Sequence, residues 1–577
     1  MKERIYKGCE RIIEAKKFNN IKEIKNNAKS EFGEKAAFKF KTNTPGEIKT
    51  MSYNEYIDEV NALGTALISI GLKDKRIGVI SENRYEWEEA YLSVVCGTGI
   101  VVPLDKSLPE NELLSLIERS EMEAIIFSKK YDEMMRSVIN KKIGKIKFFI
   151  SMDIEEKTDE FYSQKELVKI GKDLIKNGAR SFLDAEIDND NMAVMLFTSG
   201  TTSQSKAVQL SHTNICTNVY DIGSVFDVNS DDTFLSFLPL HHVFECTVGF
   251  LYAVSVGANI AFCEGIRHIA DNLKEYQASV MISVPVLFEN MYKKVIQGIE
   301  KKGKLGTVKF GIKLSNFTKI FGIDIKRKLF KDIYANFGGK LRLFVAGAAA
   351  FDPETEKGFN DLGIETYQGY GLTEASPVVA AEHKTCTKLG SIGQTFPSLE
   401  TKIIDPDEMG VGELAVKGPS VMLGYYQNED KGVTEDGWLN TGDLAYIDKD
   451  GYIFITGRKK SVIVLKNGKN IYPEETEALI NKIPGVKESF VFGKPEKDDP
   501  ADLKMCAEIV YDREAIKEEY GTEDLEEIRK ILWNKVKEIN RKMPTYKYVK
   551  EIILTEEELI KTTTLKIKRF EEIKKVL

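Results

Sequence analysis

The sequence predicts an α/β protein. A large N-terminal domain of layered, mostly parallel sheets with helices and a small β-barrel-like region is followed by a small, mobile α+β C-terminal domain. Three observations predict it. Short apolar runs alternate with amphipathic helical patterns over about 400 residues. Short strands near Asp-Gly pairs then take over. Beyond Arg458 the chain becomes dense in charges of both signs.

The alternation starts at residues 77–80, an apolar run that reads as a buried strand. Trp87, Ala90, Tyr91, Val94 and Val95 follow at helical spacing and share one face. Gly97 can end that helix, and 100–103 is strand-like again, giving a βαβ unit. A helix at 110–119 and a strand at 124–127 continue the pattern. Further strands are expected at 148–150, 193–197, 234–238, 259–262, 280–284 and 341–345. Strands at 413–417 and 452–456, near the turn pairs Asp436-Gly437 and Asp450-Gly451, predict a smaller, more antiparallel region. Residues 462–465 and 506–510 read as strands and 523–543 as an amphipathic helix. The expected domains are 1–457 and 458–577, with a boundary near Gly457 to Ser461.

Composition narrows the function. At 577 residues the chain exceeds what one core can hold. A net charge of −7 gives no support to nucleic-acid binding as a main role. The seven Cys are scattered, with no Cys-x-x-Cys pair and no Cys/His cluster, so neither zinc nor a disulfide framework is signalled. That usage suits a reducing cytoplasm. No signal-peptide core is present, and no run approaches the ~20 apolar residues of a membrane span.

Residues 197–206 read Phe-Thr-Ser-Gly-Thr-Thr-Ser-Gln-Ser-Lys. The apolar stretch 192–197 leads into them, so they form a loop leaving a buried strand. Small residues let backbone approach a ligand, hydroxyls and amides donate to anionic oxygens, and Lys206 adds a point charge. This is chemistry for a polyphosphate, although a solvated Ser/Thr-rich loop has the same composition. It is not a Walker A loop, because Ser205 and Ala207 flank the Lys.

Other segments decide. Tyr367-Gln368-Gly369-Tyr370-Gly371-Leu372-Thr373-Glu374 follows a predicted strand. Trp438-Leu-Asn-Thr-Gly-Asp443 precedes Gly457-Arg458-Lys459-Lys460. Gly468-Lys469-Asn470-Ile471-Tyr472-Pro473-Glu474-Glu475-Thr476-Glu477 comes next, and Lys561-Thr-Thr-Thr-Leu-Lys566-Ile-Lys-Arg569 lies near the end. With the hydroxyl-rich loop, these resemble in order and spacing the adenylate-forming superfamily of acyl- and aryl-CoA synthetases, firefly luciferase and peptide-synthetase adenylation domains. Within it, Leu238-Pro-Leu-His241-His242-Val-Phe-Glu245 and Glu82-Asn83-Arg84 before Val101-Val102-Pro103-Leu104-Asp105 are most similar to bacterial long-chain fatty-acid CoA ligases.

The resemblance implies a two-step reaction using ATP, Mg²⁺ and CoA. A fatty carboxylate attacks the α-phosphorus to give acyl-adenylate and pyrophosphate, and the CoA thiol then expels AMP. It implies that Thr198, Ser199, Gly200, Thr201, Thr202 and Lys206 hold the β- and γ-phosphates, and that Glu374 ligates Mg²⁺ with Thr373 near the α-phosphate. Tyr370, within Gln368-Gly369-Tyr370-Gly371, would stack on adenine over a floor of Gly347, Ala348 and Ala349. Asp443 would accept from the ribose hydroxyls, supported by Arg458. Lys566 would bridge carboxylate and α-phosphate, and Lys460 would be the hinge between the two half-reactions. His242 would stand where acyl and nucleotide pockets meet; a structural, hydrogen-bonded His is the other reading. The phosphate loop departs from the usual Thr-Gly-x-Pro-Lys-Gly, reading Thr202-Ser203-Gln204-Ser205-Lys206-Ala207, and Leu565 stands where Gly usually precedes the catalytic Lys. Both lysines are kept, so the rate rather than the chemistry is expected to differ.

Lys301 to Lys340 carries eleven Lys/Arg against two Asp, with Phe310, Phe317, Ile320 and Phe321 interleaved. Such a segment suits peripheral contact with anionic membrane at its inner face; a solvated charged face on packed helices is the alternative. Two other functions stay open. One is an acyl-AMP ligase or carrier-protein loader; Glu245 sits near where amino-acid-activating relatives keep an Asp, so an amino acid is also admitted. The other is a non-catalytic nucleotide-binding protein.

Overall fold

The computed structural model describes every residue except 1–3, 43, 45, 199–204, 467–468, 497–502 and 562–566. An eight-stranded sheet runs in the order Gly424–Tyr425, Lys206–Ser211, Met192–Thr198, Gly99–Pro103, Lys75–Ile80, Ala124–Phe127, Phe148–Ser151, Tyr162–Ser163. It is parallel from Met192–Thr198 onward and antiparallel at its other end. A nine-stranded sheet runs Gln394–Thr395, Val378–Ala381, Glu365–Gly371, Leu343–Ala346, Val280–Ser283, Thr233–Ser236, Asn259–Phe262, Ala36–Lys41, Ile48–Ser52. Its middle is parallel.

The strand sequences explain that choice. Ala124–Phe127, Val280–Ser283 and Leu343–Ala346 are buried along their whole length, as strands covered by helices on both faces must be. Between the sheets, Tyr53, Tyr56, Trp87, Tyr91 and Phe250 form the centre of the main core, with Trp87 and Tyr91 stacked at 5.4 Å.

The antiparallel region is an open five-stranded sheet, half of a barrel, in the order Tyr6–Lys7, Glu400–Ile404, Gly412–Lys417, Leu439–Ile447, Ile453–Arg458. Its register sets Asp443 opposite Arg458. Beyond it lies a three-stranded sheet of Val486–Pro495, Leu503–Tyr511 and Glu551–Thr555, covered by the Pro473–Ile480 and Leu525–Asn540 helices. Ile480, Ile509, Ile528, Leu532 and Val536 close its own core.

Some boundaries differ from expectation for local reasons. The long C-terminal helix starts at Leu525 because the Asp524 side chain accepts from Glu527 N and caps it. The strand expected at 234–238 ends at Ser236, where the side chain turns to hydrogen-bond Glu245. Glu245–Tyr252 is wound as a π-helix, which its apolar pattern gave no sign of. Among the described residues no helix is long and apolar enough to cross a membrane.

Candidate functional site

One cleft of 2480 Å³ opens beyond the C-terminal ends of the central strands of the nine-stranded sheet, where an open α/β sheet places its ligands. The Leu343–Ala346 strand runs into Gly347, Ala348 and Ala349 on its wall. Ala348 has φ +73°, a region an L-residue enters at a cost of about 1 kcal/mol, and such backbone is held at sites that need it. The neighbouring Glu365–Gly371 strand delivers Gln368, Gly369, Tyr370 and Gly371 to the same wall. A side chain at Gly371 would meet the Pro377 carbonyl oxygen at 2.2 Å. A short 3₁₀ turn then presents Thr373 and Glu374.

Tyr370 Oη donates to Asp443 Oδ2 at 2.5 Å, while Arg458 Nε pairs with Asp443 Oδ1 at 2.8 Å. Burial, then the Asp443 charge, pushes the Tyr370 phenol up, so it stays a donor. Asp443 itself is reached through Gly442, whose φ of +72° makes the turn.

Thr198 and Lys206 face each other in register at the base of the hydroxyl-rich loop and line the cleft. Ser199, Gly200, Thr201 and Thr202 lie outside the described residues. The base is tied down by Arg119, whose guanidinium donates to the Ser205 carbonyl and lies 5.5 Å from the Phe197 ring centroid. Lys206 Nζ pairs with Asp430 at 3.2 Å and sits 4.3 Å over the Tyr425 ring. Tyr425 Oη in turn donates to Glu374 Oε1 at 2.8 Å. Burial and the Glu374 charge push that phenol up.

His242 lines the cleft, and its Nδ1 accepts from Phe244 N at 3.3 Å. Its neighbour His241 places Nε2 3.1 Å from Asp105 Oδ1. Past His242 the cleft continues as an apolar arm of Phe226, Phe234, Val248, Tyr252, Val280 and Ile282. Glu245 is not on this wall. Its carboxylate is fully buried, accepts from Ser236 Oγ at 2.6 Å, and burial pushes its pKa up to about 8. An amino-acid substrate's amine therefore does not meet Glu245, which corrects that expectation.

The opposite wall comes from the C-terminal part: Lys460, Lys561, Ile567, Lys568, Arg569 and Phe570. Lys566 lies outside the described residues. Its flanks are fastened: Glu572 Oε2 accepts from Ile560 N at 2.6 Å, and Glu488 accepts from Lys561 Nζ at 2.7 Å. Lys460 stands in the Lys459–Ser461 turn, beside Lys459, which pairs with Glu413 at 2.6 Å.

Behind the wall formed by the Glu365–Gly371 strand, Glu382 and Glu356 are buried together. Glu382 accepts from Gln368 N at 3.3 Å and Lys388 N at 2.8 Å. Burial, then the Glu382 charge, holds Glu356 protonated well above the usual carboxylate range.

Among the described residues no group of three or more His, Cys, Asp or Glu could hold a metal ion. Glu374 is a single carboxylate on the cleft wall near Lys206, linked to it through Tyr425, a donor set that fits Mg²⁺ completing its shell with phosphate oxygens and water. Tyr425, Asp430 and Arg119 take part in this region without any motif to mark them, because only the fold makes them neighbours.

The sequence matches the AMP-binding enzyme family over residues 25–426 and the AMP-binding enzyme C-terminal domain over 460–575. Fatty acyl-CoA synthetase B of Dictyostelium discoideum is 28% identical over 483 residues, 78% of this chain and 71% of the relative. Human long-chain-fatty-acid–CoA ligase 1 is 29% identical over 77% of this chain and 68% of its own. A chloroplastic long-chain-fatty-acid–acyl-carrier-protein ligase of Arabidopsis thaliana is 26% identical over 78% of this chain and 71% of its own. In fold, the chain is similar to ATP-bound MatB from Rhodopseudomonas palustris, with TM-score 0.73, 22% identity and coverage of 96% of this chain and 98% of that one. It is similar also to the anthranilate CoA ligase AuaEII with anthranoyl-AMP, with TM-score 0.75, 18% identity and coverage of 97% and 98%.

Proposed function

Since the chain belongs to the AMP-binding enzyme family, we propose that it activates a long-chain fatty acid as its acyl-adenylate and passes the acyl group to CoA. It is an adenylate-forming ligase that uses ATP, CoA and Mg²⁺. The observation that carries the finer reading is the shape of the cleft: one continuous space joins the polar end at Gly347, Tyr370 and Asp443 to the apolar arm. The names of the relatives agree with it.

A fatty carboxyl is already ionised at neutral pH, so the first step needs charge neutralisation and in-line positioning rather than a base. The carboxylate oxygen bonds to the α-phosphorus as the bond to the β-phosphate oxygen breaks. In this reading Lys206 and the hydroxyls from Thr198 to Thr202 take the leaving pyrophosphate, while Lys566 neutralises charge developing at the α-phosphate. Mg²⁺ on Glu374, when bound, neutralises phosphate charge. Tyr370 and Gly347 to Ala349 hold the adenine, and Asp443, fixed by Tyr370 and Arg458, accepts from the ribose hydroxyls. The CoA sulfur then attacks the acyl carbon and expels AMP, after rotation about Lys460 between domains 1–457 and 458–577. His242 orients the carboxylate at the junction. The same reading places the protein in the cytoplasm, meeting anionic membrane peripherally through Lys301 to Lys340.

A second acceptor, an acyl carrier protein, is favoured by the Arabidopsis relative. A panel of carboxylic acids with ATP, followed by AMP release with CoA, with carrier protein or with neither, tests both. Long-chain acids giving AMP only with CoA support the first reading. Carrier protein replacing CoA supports the second, and no pyrophosphate exchange with any acid overturns both.

A further inference from the structure

We infer that the outer face of the Leu305–Ile320 helix, with the turn after it, is a docking surface for an anionic lipid bilayer. The helix is apolar on two opposite faces. On the inner face Leu305, Val308 and Ile312 pack on the core around Phe330 and Phe344, with Gly311 and Ser315 buried. On the outer face Phe310, Leu314, Phe317 and Phe321 follow one another at three- and four-residue steps, so they stand in one stripe. Phe310, Phe317 and Phe321 are 68%, 60% and 68% exposed. Ile320 and Ile323 extend the patch at 79% and 58%. Phe317 and Phe321 meet edge to face at 5.3 Å, a ring pair largely exposed to solvent. The inner face already fixes the helix, so the outer stripe adds nothing to folding and only places apolar surface in water, the mark of an interaction site.

Charge identifies the occupant. Residues 301–340 hold eleven Lys/Arg, two Asp and no Glu, in a chain whose net charge is −7. Lys309 and Lys313 rim one side of the stripe. Arg327, Lys328 and Lys331 follow, all exposed. Long cationic chains beside an apolar stripe match a layer of anionic headgroups over acyl chains. A second copy of the chain would set these same cations against each other.

The position adds a purpose. The Pro285–Lys301 helix lines the cleft with Val286, Glu289, Asn290 and Lys293 in its first turns, and its later residues Val295 and Ile296 share a core with Leu305 and Val308. Its length is about 25 Å at the usual helical rise. A docked face thus lies one helix from the acyl arm. The purpose rests on the fatty-acid reading above; the docking does not.

The experiment uses the full chain without ATP, acid or CoA. Sedimentation is measured with vesicles of phosphatidylcholine alone and with added phosphatidylglycerol, at low and high salt, and pyrophosphate exchange is assayed separately. Binding to the anionic vesicles only, released by salt, is expected. A Phe317→Trp variant should shift its emission to the blue on those vesicles and be quenched by brominated acyl chains. Phe310→Ser/Phe317→Ser/Phe321→Ser and Lys309→Glu/Lys313→Glu should each bind at least ~10-fold more weakly with thermal stability and exchange retained. Absence of sedimentation at low salt, an unmoved emission from the Phe317→Trp variant, or undiminished binding by the triple variant overturns the proposal. So does loss of self-association in the triple variant, which would assign the face to a second copy. Lost exchange with sedimentation intact overturns the ligase reading instead.

Discussion

Tyr370 and Asp443, 73 residues apart, meet through a 2.5 Å hydrogen bond that joins the nine-stranded sheet to the antiparallel half-barrel. The second Asp443 oxygen is held by Arg458 at 2.8 Å. Both carboxylate oxygens are therefore oriented before any nucleotide arrives. Asp443→Asn should raise the KM for ATP by ~10-fold or more with little change in the KM for acid, and Tyr370→Phe should do the same to a lesser degree. Pyrophosphate-exchange kinetics with each substrate varied in turn check this. Equal rises in both KM values would count against a ribose-side role.

Lys566 is expected to serve one half-reaction. Lys566→Ala should cut acyl-adenylate formation by ~100-fold or more while largely sparing thioester formation from supplied acyl-AMP. Glu572→Ala, which frees Ile560 N beside that segment, should lower adenylation about 10-fold in the same selective way, with rescue by Glu572→Gln. Parallel loss in both half-reactions would refute the division of labour.

The reverse pattern belongs to the hinge. Lys459 is anchored on Glu413, and Lys460 beside it is the proposed pivot. Proline there fixes φ. Lys460→Pro should keep pyrophosphate exchange within about 3-fold and slow thioester formation more than ~10-fold. Unchanged overall turnover would remove Lys460 from that role.

The Glu356–Glu382 pair makes stability fall with alkali. Glu356 stays protonated in the fold above the pH at which the unfolded chain releases that proton, so the native state binds more protons and loses stability as pH rises from about 5 through its raised pKa. Glu356→Gln keeps the neutral form at every pH. Its Tm relative to the parent should therefore rise by at least about 2 °C between pH 5 and pH 9. A pH-independent difference in thermal melts would show that the two carboxyls do not share a proton.

Much of this was legible in the residues. A short continuous apolar run such as 124–127, bounded by polar residues, reads as a covered strand, and it is one. The antiparallel region announced itself through Asp436-Gly437 and Asp450-Gly451. The Tyr6–Lys7 strand was invisible because two residues in a charged segment have no period to read. The π-winding at Glu245 was hidden because a helix buried on every side shows no phase. Partnerships such as Tyr425 with Glu374 span 51 residues and join ordinary side chains, so nothing local marks them. The exposed face of Leu305–Ile320 was half legible: its charge was plain, but Val308 and Phe310 look alike until one is seen inside and the other out.

Lys482 and Asp352 form a 2.6 Å ion pair between the C-terminal part and the helix that begins just after Gly347, Ala348 and Ala349. The acyl arm belongs wholly to one side of that pair, whereas the polar end of the cleft has walls from both. In the proposed cycle, a covalent staple at these two positions would turn the catalyst into a reagent. Each molecule would make its acyl-adenylate once, release one equivalent of pyrophosphate, and stop with the intermediate still in hand.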